Sequence, residues 1–282
     1  MSRQSGHLLD WIVPVFFVIC AGWTVWHLPA FLLDFVSYEN ESKAIQIQDY
    51  FDRKQITPGI AGLGGGNVDV VDWIALILMP ITFVIGVCTV VPNQMEFQQH
   101  SKFDQIAMFI GRITMILIIL MTGVMLYEVF VRYAIEAPTL WANELTLWIA
   151  GFIFMLSGVY GMQQRSHIRI FILYEVLPRW GQHICDVLSV LLLWFFTACL
   201  LYGSYHQVFV GKFYNWQTFG TAFDPPLPAT IQPIILISIT LVSIQAFINL
   251  IADWNRDPSA LADKDVVDAE ELEALKKSVG DS

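Results

Sequence analysis

Apolar residues along this chain are grouped into six long runs separated by shorter polar connections. The runs cover residues 9–36, 71–92, 105–134, 140–162, 182–210 and 229–252. A helix needs about 20 predominantly apolar residues to cross the hydrocarbon of a bilayer. Each run reaches that length, so the pattern predicts an all-α integral membrane protein with about six transmembrane helices. Composition agrees, because only 14% of the residues are charged, against roughly 25% in soluble domains.

Two connections are amphipathic and too polar to cross a membrane. Residues 37–60 are expected to form an interfacial helix on the outer surface, where such helices bury one apolar face. Residues 163–181 are expected to lie along the cytoplasmic interface. There Arg165, His167 and Arg169 are predicted to contact lipid headgroups, because long basic side chains extend towards them.

The distribution of Lys and Arg predicts the orientation. Six spans place both termini on one side, and with that side in the cytoplasm nine basic residues are cytoplasmic against five outside. Cytoplasmic connections carry an excess of Lys and Arg. Both termini are therefore predicted to be cytoplasmic, together with the acidic tail at 253–282.

Five residues near the outer ends of the third and fourth runs are candidate anchors or partner contacts. Glu128 and Arg132 stand four apart in the favourable order for a helical ion pair, and the pair is either structural or an inter-subunit contact. Glu144 begins the fourth run, where an acid suits the helix dipole. It is either a helix-start residue or the partner of a base on a neighbouring helix or another subunit. Trp141 and Trp148 are typical of the membrane interface.

The sequence offers no catalytic or cofactor site. The four cysteines show no metal-ligand spacing. The histidines offer a single candidate pair on two helices, His27 with His206, so a bound haem is not expected. No basic patch suits nucleic acid. The runs do not form the repeated halves that are common in autonomous transporters. We therefore expect a membrane scaffold that is not an enzyme and binds no cofactor, metal or nucleic acid.

Residues 105–252 resemble the small, DctQ-like membrane subunit of tripartite ATP-independent periplasmic (TRAP) transporters. The resemblance rests on a series of spaced residues: Val131-Arg132-Tyr133, Pro138, Trp141, Glu144-Leu145, Trp148, Gly151, Arg165 and His167-Ile168. Asn143 departs from the family, which often has a second acid there. The resemblance implies three parts: an N-terminal extension at 1–104 with two spans and the outer amphipathic segment, a four-helix domain at 105–252, and the tail.

The resemblance also implies a function. The small subunit would support a large, DctM-like membrane subunit that carries the substrate and sodium sites. A periplasmic, DctP-like binding protein would deliver an organic acid to the pair. The expected location is then a bacterial inner membrane, with lipids as further contacts. The alternatives are a membrane anchor or accessory subunit of a respiratory complex, and an independent channel.

Overall fold

A computed structural model describes residues 9–35, 41–54, 68–92, 101–165 and 177–254. These residues form seven α-helices and one π-helix, without a strand. The helices are α1 (Leu9–Phe35), α2 (Glu41–Lys54), α3 (Val70–Thr89), α4 (Lys102–Ala134), α5 (Ala142–Gln163), α6 (Arg179–Tyr205), the π-helix (His206–Phe213) and α7 (Leu227–Asp253). Six segments of the described chain are long and apolar enough to cross a membrane, which confirms the predicted fold class.

The starts of α3 and α4 are fixed by local sequence. The first backbone N–H groups of a helix lack partners within it, and a capping box satisfies them reciprocally. The Asp69 carboxylate accepts from the N–H groups of Val71 and Asp72, and the Asp72 carboxylate accepts from the N–H of Asp69. Ser101 and Asp104 make the same exchange at α4.

The helices of the bundle contact one another in a defined set of pairs. Helix α1 contacts α3 and α4, α4 contacts α5, α5 contacts α7, and α6 contacts α7. We call the end of the bundle where α1 begins and α7 ends the terminal end, and the opposite end the distal end. A core cluster lies in the terminal half, where Phe109 and Ile113 of α4 pack against Val13 of α1. In the same half, Ala107 and Ile110 meet Val159 of α5.

Two glycines of the terminal half permit close helix contacts. A Cβ on Gly86 of α3 would lie 2.1 Å from the Phe109 ring, and one on Gly111 would lie 2.5 Å from the Tyr160 ring. Both distances are far below van der Waals contact. Only glycine therefore lets α3 approach α4, and α4 approach α5, at these points.

Helix α4 is too long for the hydrocarbon, because its 33 residues span roughly 50 Å at 1.5 Å per residue. Arg112 lies ten positions into α4, yet its guanidinium donates to the carbonyl of Val91, just beyond the end of α3 (3.4 Å). The first turns of α4 therefore extend beyond α3 at the terminal end.

The distal half of α4 and most of α6 leave apolar side chains exposed. Ile119, Leu126 and Phe130 of α4 are 61–66% exposed, and Leu191 and Phe195 of α6 are 60% and 69% exposed. In a bilayer such surfaces are covered by lipid or by another membrane protein.

Helix α2 shows that residues 41–54 of the first amphipathic segment are helical. Its Ile47 is 3% exposed and packs with Leu32 of α1, and with Trp216 and Ala229 at the distal end. Most of the second amphipathic segment, residues 166–176, lies outside the described residues, as does the tail from residue 255.

Candidate functional site

Glu128 is a buried acid near the distal end of α4. One of its oxygens accepts from Nε and Nη2 of Arg132 at 3.0 and 2.6 Å. The other accepts from the backbone N–H of Thr139 at 3.1 Å and from the Thr139 hydroxyl. The Glu128 side chain is 2% exposed, whereas that of Arg132 is 42% exposed. Glu128 therefore joins the end of α4 to the connection before α5, and Arg132 covers it.

Glu144, in the first turn of α5, holds the connection between α6 and α7. Its Oε2 accepts from the hydroxyl of Thr221 at 2.5 Å and from the backbone N–H of Asp224 at 3.2 Å. The donors are thus a hydroxyl and a peptide group of the same chain. Beside this contact, Trp141 stacks on Tyr127 of α4 with ring centroids 5.9 Å apart.

Trp148 lies inside the bundle. It is 7% exposed, its Nε1 donates to the hydroxyl of Thr230 on α7 at 2.8 Å, and its ring lies 6.4 Å from that of Trp26 on α1. A buried indole needs an acceptor for its N–H, and Thr230 supplies it. Trp148 therefore joins α1, α5 and α7 at one point.

A polar cluster that the sequence analysis missed joins α1 to α3. Asp72 is 2% exposed and accepts from Nε1 of Trp23 at 2.8 Å. Nδ1 of His27 lies 3.7 Å from the same carboxylate oxygen and 3.0 Å from the carbonyl of Trp23, to which it donates. The sequence signal for this cluster was the four-residue spacing of Trp23 and His27, together with Asp72 in the first turn of α3.

A second missed cluster lies at the terminal end between α4, α5 and α7. Nε2 of Gln245, which is fully buried, donates to the carboxylate of Asp104 at 2.7 Å and to the side-chain oxygen of Asn249 at 3.0 Å. Asn249 in turn donates to the carbonyl of Met162 at 2.7 Å. Gln245 and Asn249, two amides four positions apart in the last apolar run, were the signal for this cluster.

Arg165 lies beside the second cluster and pairs with an acid of α7. Its Nε and Nη2 donate to the two oxygens of Asp253 at 2.5 and 2.9 Å, and its side chain is 10% exposed. This bidentate pair connects the end of α5 to the end of α7. His167 and Arg169, the other predicted headgroup contacts, lie outside the described residues.

The polar groups described above hold the helices of this chain together. Each cluster joins two or three helices near an end of the bundle, with hydrogen-bond partners from this chain. Within the described ranges, no group of three or more His, Cys, Asp or Glu side chains could hold a metal ion. The fold and these contacts define a multi-pass helical membrane protein whose buried polar residues fix its own helices.

Comparison with known proteins identifies the kind of membrane protein. Residues 121–253 match the family model described as "Tripartite ATP-independent periplasmic transporters, DctQ component". The match covers slightly less than half of the chain and shows that this part is similar to the DctQ component of TRAP transporters; we call residues 121–253 the DctQ domain. No curated protein and no solved structure matched the chain.

Proposed function

We propose that this protein is the scaffold subunit of a sodium-coupled TRAP transporter for organic acids. The DctQ domain at 121–253 is the observation that carries the proposal. In this role the subunit supports the large, DctM-like membrane subunit, which holds the substrate and sodium sites. The chain itself needs no cofactor and catalyses no reaction.

The arrangement of polar groups supports a scaffold. Transport sites are commonly built from broken helices and polar groups near the middle of the membrane. Here the acids Glu128, Glu144, Asp72 and Asp104 lie near helix ends, and each accepts hydrogen bonds from residues of this chain. Contacts of this kind hold six spans in a fixed arrangement, which is what a supporting subunit requires.

The exposed apolar faces offer a surface for the large subunit. Ile119, Leu126 and Phe130 of α4 stand near Gly123, where an added Cβ would meet nothing within 4 Å. Small residues let membrane helices approach closely. We propose the distal half of α4 as the contact with the large subunit, in a bacterial inner membrane with both termini in the cytoplasm.

Co-purification with the large subunit tests the proposal. The two chains, expressed together and extracted in mild detergent, should elute as one complex. Proteoliposomes that contain both chains should accumulate an organic acid only with the periplasmic binding protein and a sodium gradient. Transport by this chain alone would contradict the proposal. So would a Soret absorption band in the purified protein that shifts on reduction, as expected of a respiratory anchor.

A further inference from the structure

Two buried amide side chains at the terminal end carry hydrogen-bonding atoms without a partner. Gln163, at the end of α5, and Gln245, on α7, are both 0% exposed. Nε2 of Gln163 meets no acceptor, and Oε1 of Gln245 meets no donor, among the residues that the structure describes. Buried polar atoms are nearly always hydrogen-bonded, because an unpaired one loses its bonds to water without replacement. The two atoms together therefore point to a ligand.

The orientation of the Gln245 amide is fixed by its neighbours. Its Nε2 donates to the carboxylate of Asp104 at 2.7 Å and to Oδ1 of Asn249 at 3.0 Å. The Asn249 amide cannot be reversed, because its Nδ2 donates to the carbonyl of Met162 at 2.7 Å. Reversal of the Gln245 amide would turn its oxygen toward two acceptors. The atom of Gln245 that needs a partner is therefore its oxygen, which can only accept.

Gln163 offers the complementary group in the same part of the interface between α5 and α7. Its Oε1 accepts from Nε2 of Gln164 at 2.6 Å, which leaves its Nε2 as a donor. Met162, the residue before Gln163, is bonded through its carbonyl to Asn249, and Asn249 is bonded to Gln245. A donor on α5 and an acceptor on α7 are thus held near one another by the same cluster.

The contact between α5 and α7 becomes looser toward the terminal end. A Cβ added to Gly151 would lie 2.9 Å from the side chain of Ile231, which is too close for a side chain. A Cβ added to Gly158, two turns later on α5, would meet only Val242, at 3.9 Å, which is ordinary van der Waals contact. The polar atoms of Gln163 therefore follow the looser part of the interface, where a small molecule can lie between the helices.

The chemistry of the two atoms selects the ligand. It must accept a hydrogen bond from Gln163 and donate one to Gln245. A metal cation would face the N–H of Gln163, and an anion would lie beside the carboxylate of Asp104, so both are disfavoured. Water supplies a donor and an acceptor together, and buried waters in proteins typically make about three hydrogen bonds to groups that would otherwise be unpaired.

We propose that an ordered water molecule binds between Gln163 and Gln245 and bridges α5 to α7. The water accepts from Nε2 of Gln163 and donates to Oε1 of Gln245. It joins the Gln245 cluster to the end of α5, where Arg165 pairs with Asp253. The site lies wholly within this chain, so it does not depend on the proposed function or on the large subunit.

An experimental structure of the full chain in lipid, at a resolution that shows ordered water, tests the site directly. We expect a water within about 2.7–3.2 Å of both Nε2 of Gln163 and Oε1 of Gln245, in sodium buffer and in potassium buffer alike. A direct hydrogen bond between the two amides, or no water at this position, would overturn the inference. A peak that is present only in sodium would also overturn it, because it would identify a cation.

Solid-state NMR of the chain in lipid gives an independent measurement, in which magnetisation passes from water to the protein. The protein carries isotope-labelled glutamine, and the side-chain signal of Gln163 is assigned by its loss in Gln163→Met. Although Gln163 is buried, its amide should receive magnetisation from water nearly as fast as that of Gln207, which is exposed. Transfer to Gln163 that is several times slower than to Gln207 would contradict a bound water.

The contribution of the bridge to stability is measured with a matched pair of variants. Gln163→Met keeps a side chain of similar length but removes the donor to the water, so the unfolding temperature in detergent should fall by several degrees. Gln207→Met makes the same substitution at an exposed position and should leave the unfolding temperature nearly unchanged. Equal unfolding temperatures in the two variants would refute a bridge between α5 and α7.

Discussion

At the scale of single residues, Glu128 and Glu144 are two acids that hold connections at the distal end. Each carboxylate binds a connection of its own chain, through Thr139 in one case and through Thr221 in the other. The sequence identified both acids and the pairing of Glu128 with Arg132. It did not identify the threonines, because Thr221 lies 77 positions from Glu144 and only packing brings them together.

Removal of the Glu144 carboxylate should loosen the connection between α6 and α7. Glu144→Leu abolishes both accepted hydrogen bonds, whereas the control Glu144→Gln keeps an oxygen that can accept them. In a cysteine-free background with Thr218→Cys, we expect labelling by a membrane-impermeant maleimide to be several times faster with Glu144→Leu. Equal rates in the two variants would show that Glu144 does not restrain this connection.

Loss of the Arg132 charge should destabilise the chain, because removal of one partner from a buried ion pair leaves an uncompensated charge. Arg132→Ala removes both hydrogen bonds to Glu128, and Arg132→Lys retains a positive charge. The temperature of aggregation in detergent, followed by size-exclusion chromatography, should fall for Arg132→Ala and fall less for Arg132→Lys. If the temperature of aggregation falls equally in the two variants, the geometry of the guanidinium matters more than its charge.

At the scale of helices, α3 of the N-terminal extension packs closely against α4. Gly86 faces the Phe109 ring, and Phe109 is 1% exposed. Phe17 of α1 and Phe83 of α3 complete an aromatic group around it, with centroids 5.9 and 5.5 Å from that of Phe109. The extension therefore packs into the same core as the helices that follow it.

Replacement of Gly86 tests this packing. Gly86→Leu places a large side chain against Phe109 and should destabilise the protein by about 1–3 kcal/mol, the usual cost of overpacking. Gly123→Leu is the matched control on α4, since its Cβ meets nothing within 4 Å. In the isolated chain Gly123→Leu should leave the unfolding temperature nearly unchanged. In the complex it should reduce co-purification with the large subunit if the distal half of α4 is their contact.

At the scale of the whole molecule, the six spans fix which ends of the helices share a side. The pair of Arg165 with Asp253 and the contact of Asp104 with Gln245 join three helix ends at the terminal end. The contacts of Glu128 and Glu144 lie at the opposite end. The predicted orientation rests on the excess of Lys and Arg at the terminal end, and the proposed function rests on that orientation.

Reporter fusions test the orientation directly. A reporter that is active only in the cytoplasm, fused after Ser282, should be active, and a reporter that requires the periplasm should be inactive at the same site. Insertion of the two reporters in the connection at 214–226 should give the reverse result. Periplasmic activity after Ser282 would show that the predicted orientation is wrong.

The sequence by itself determined the six spans, the amphipathic helix α2 and the candidate acids. It could do so because membrane crossing depends on the local length of an apolar run. The resemblance of 105–252 to DctQ proteins also came from residues in order along the chain, and the family match bears it out.

Only the tertiary structure decided the partners of these residues. It placed Trp148 in the core, linked Asp72 to Trp23, and brought Ile47 of α2 against Trp216. These contacts join residues far apart in sequence, and they depend on close approaches such as that of Gly86 to Phe109. Hydrophobic periodicity cannot specify such contacts, because in a membrane the same apolar surface suits lipid, a neighbouring helix and a partner subunit equally well.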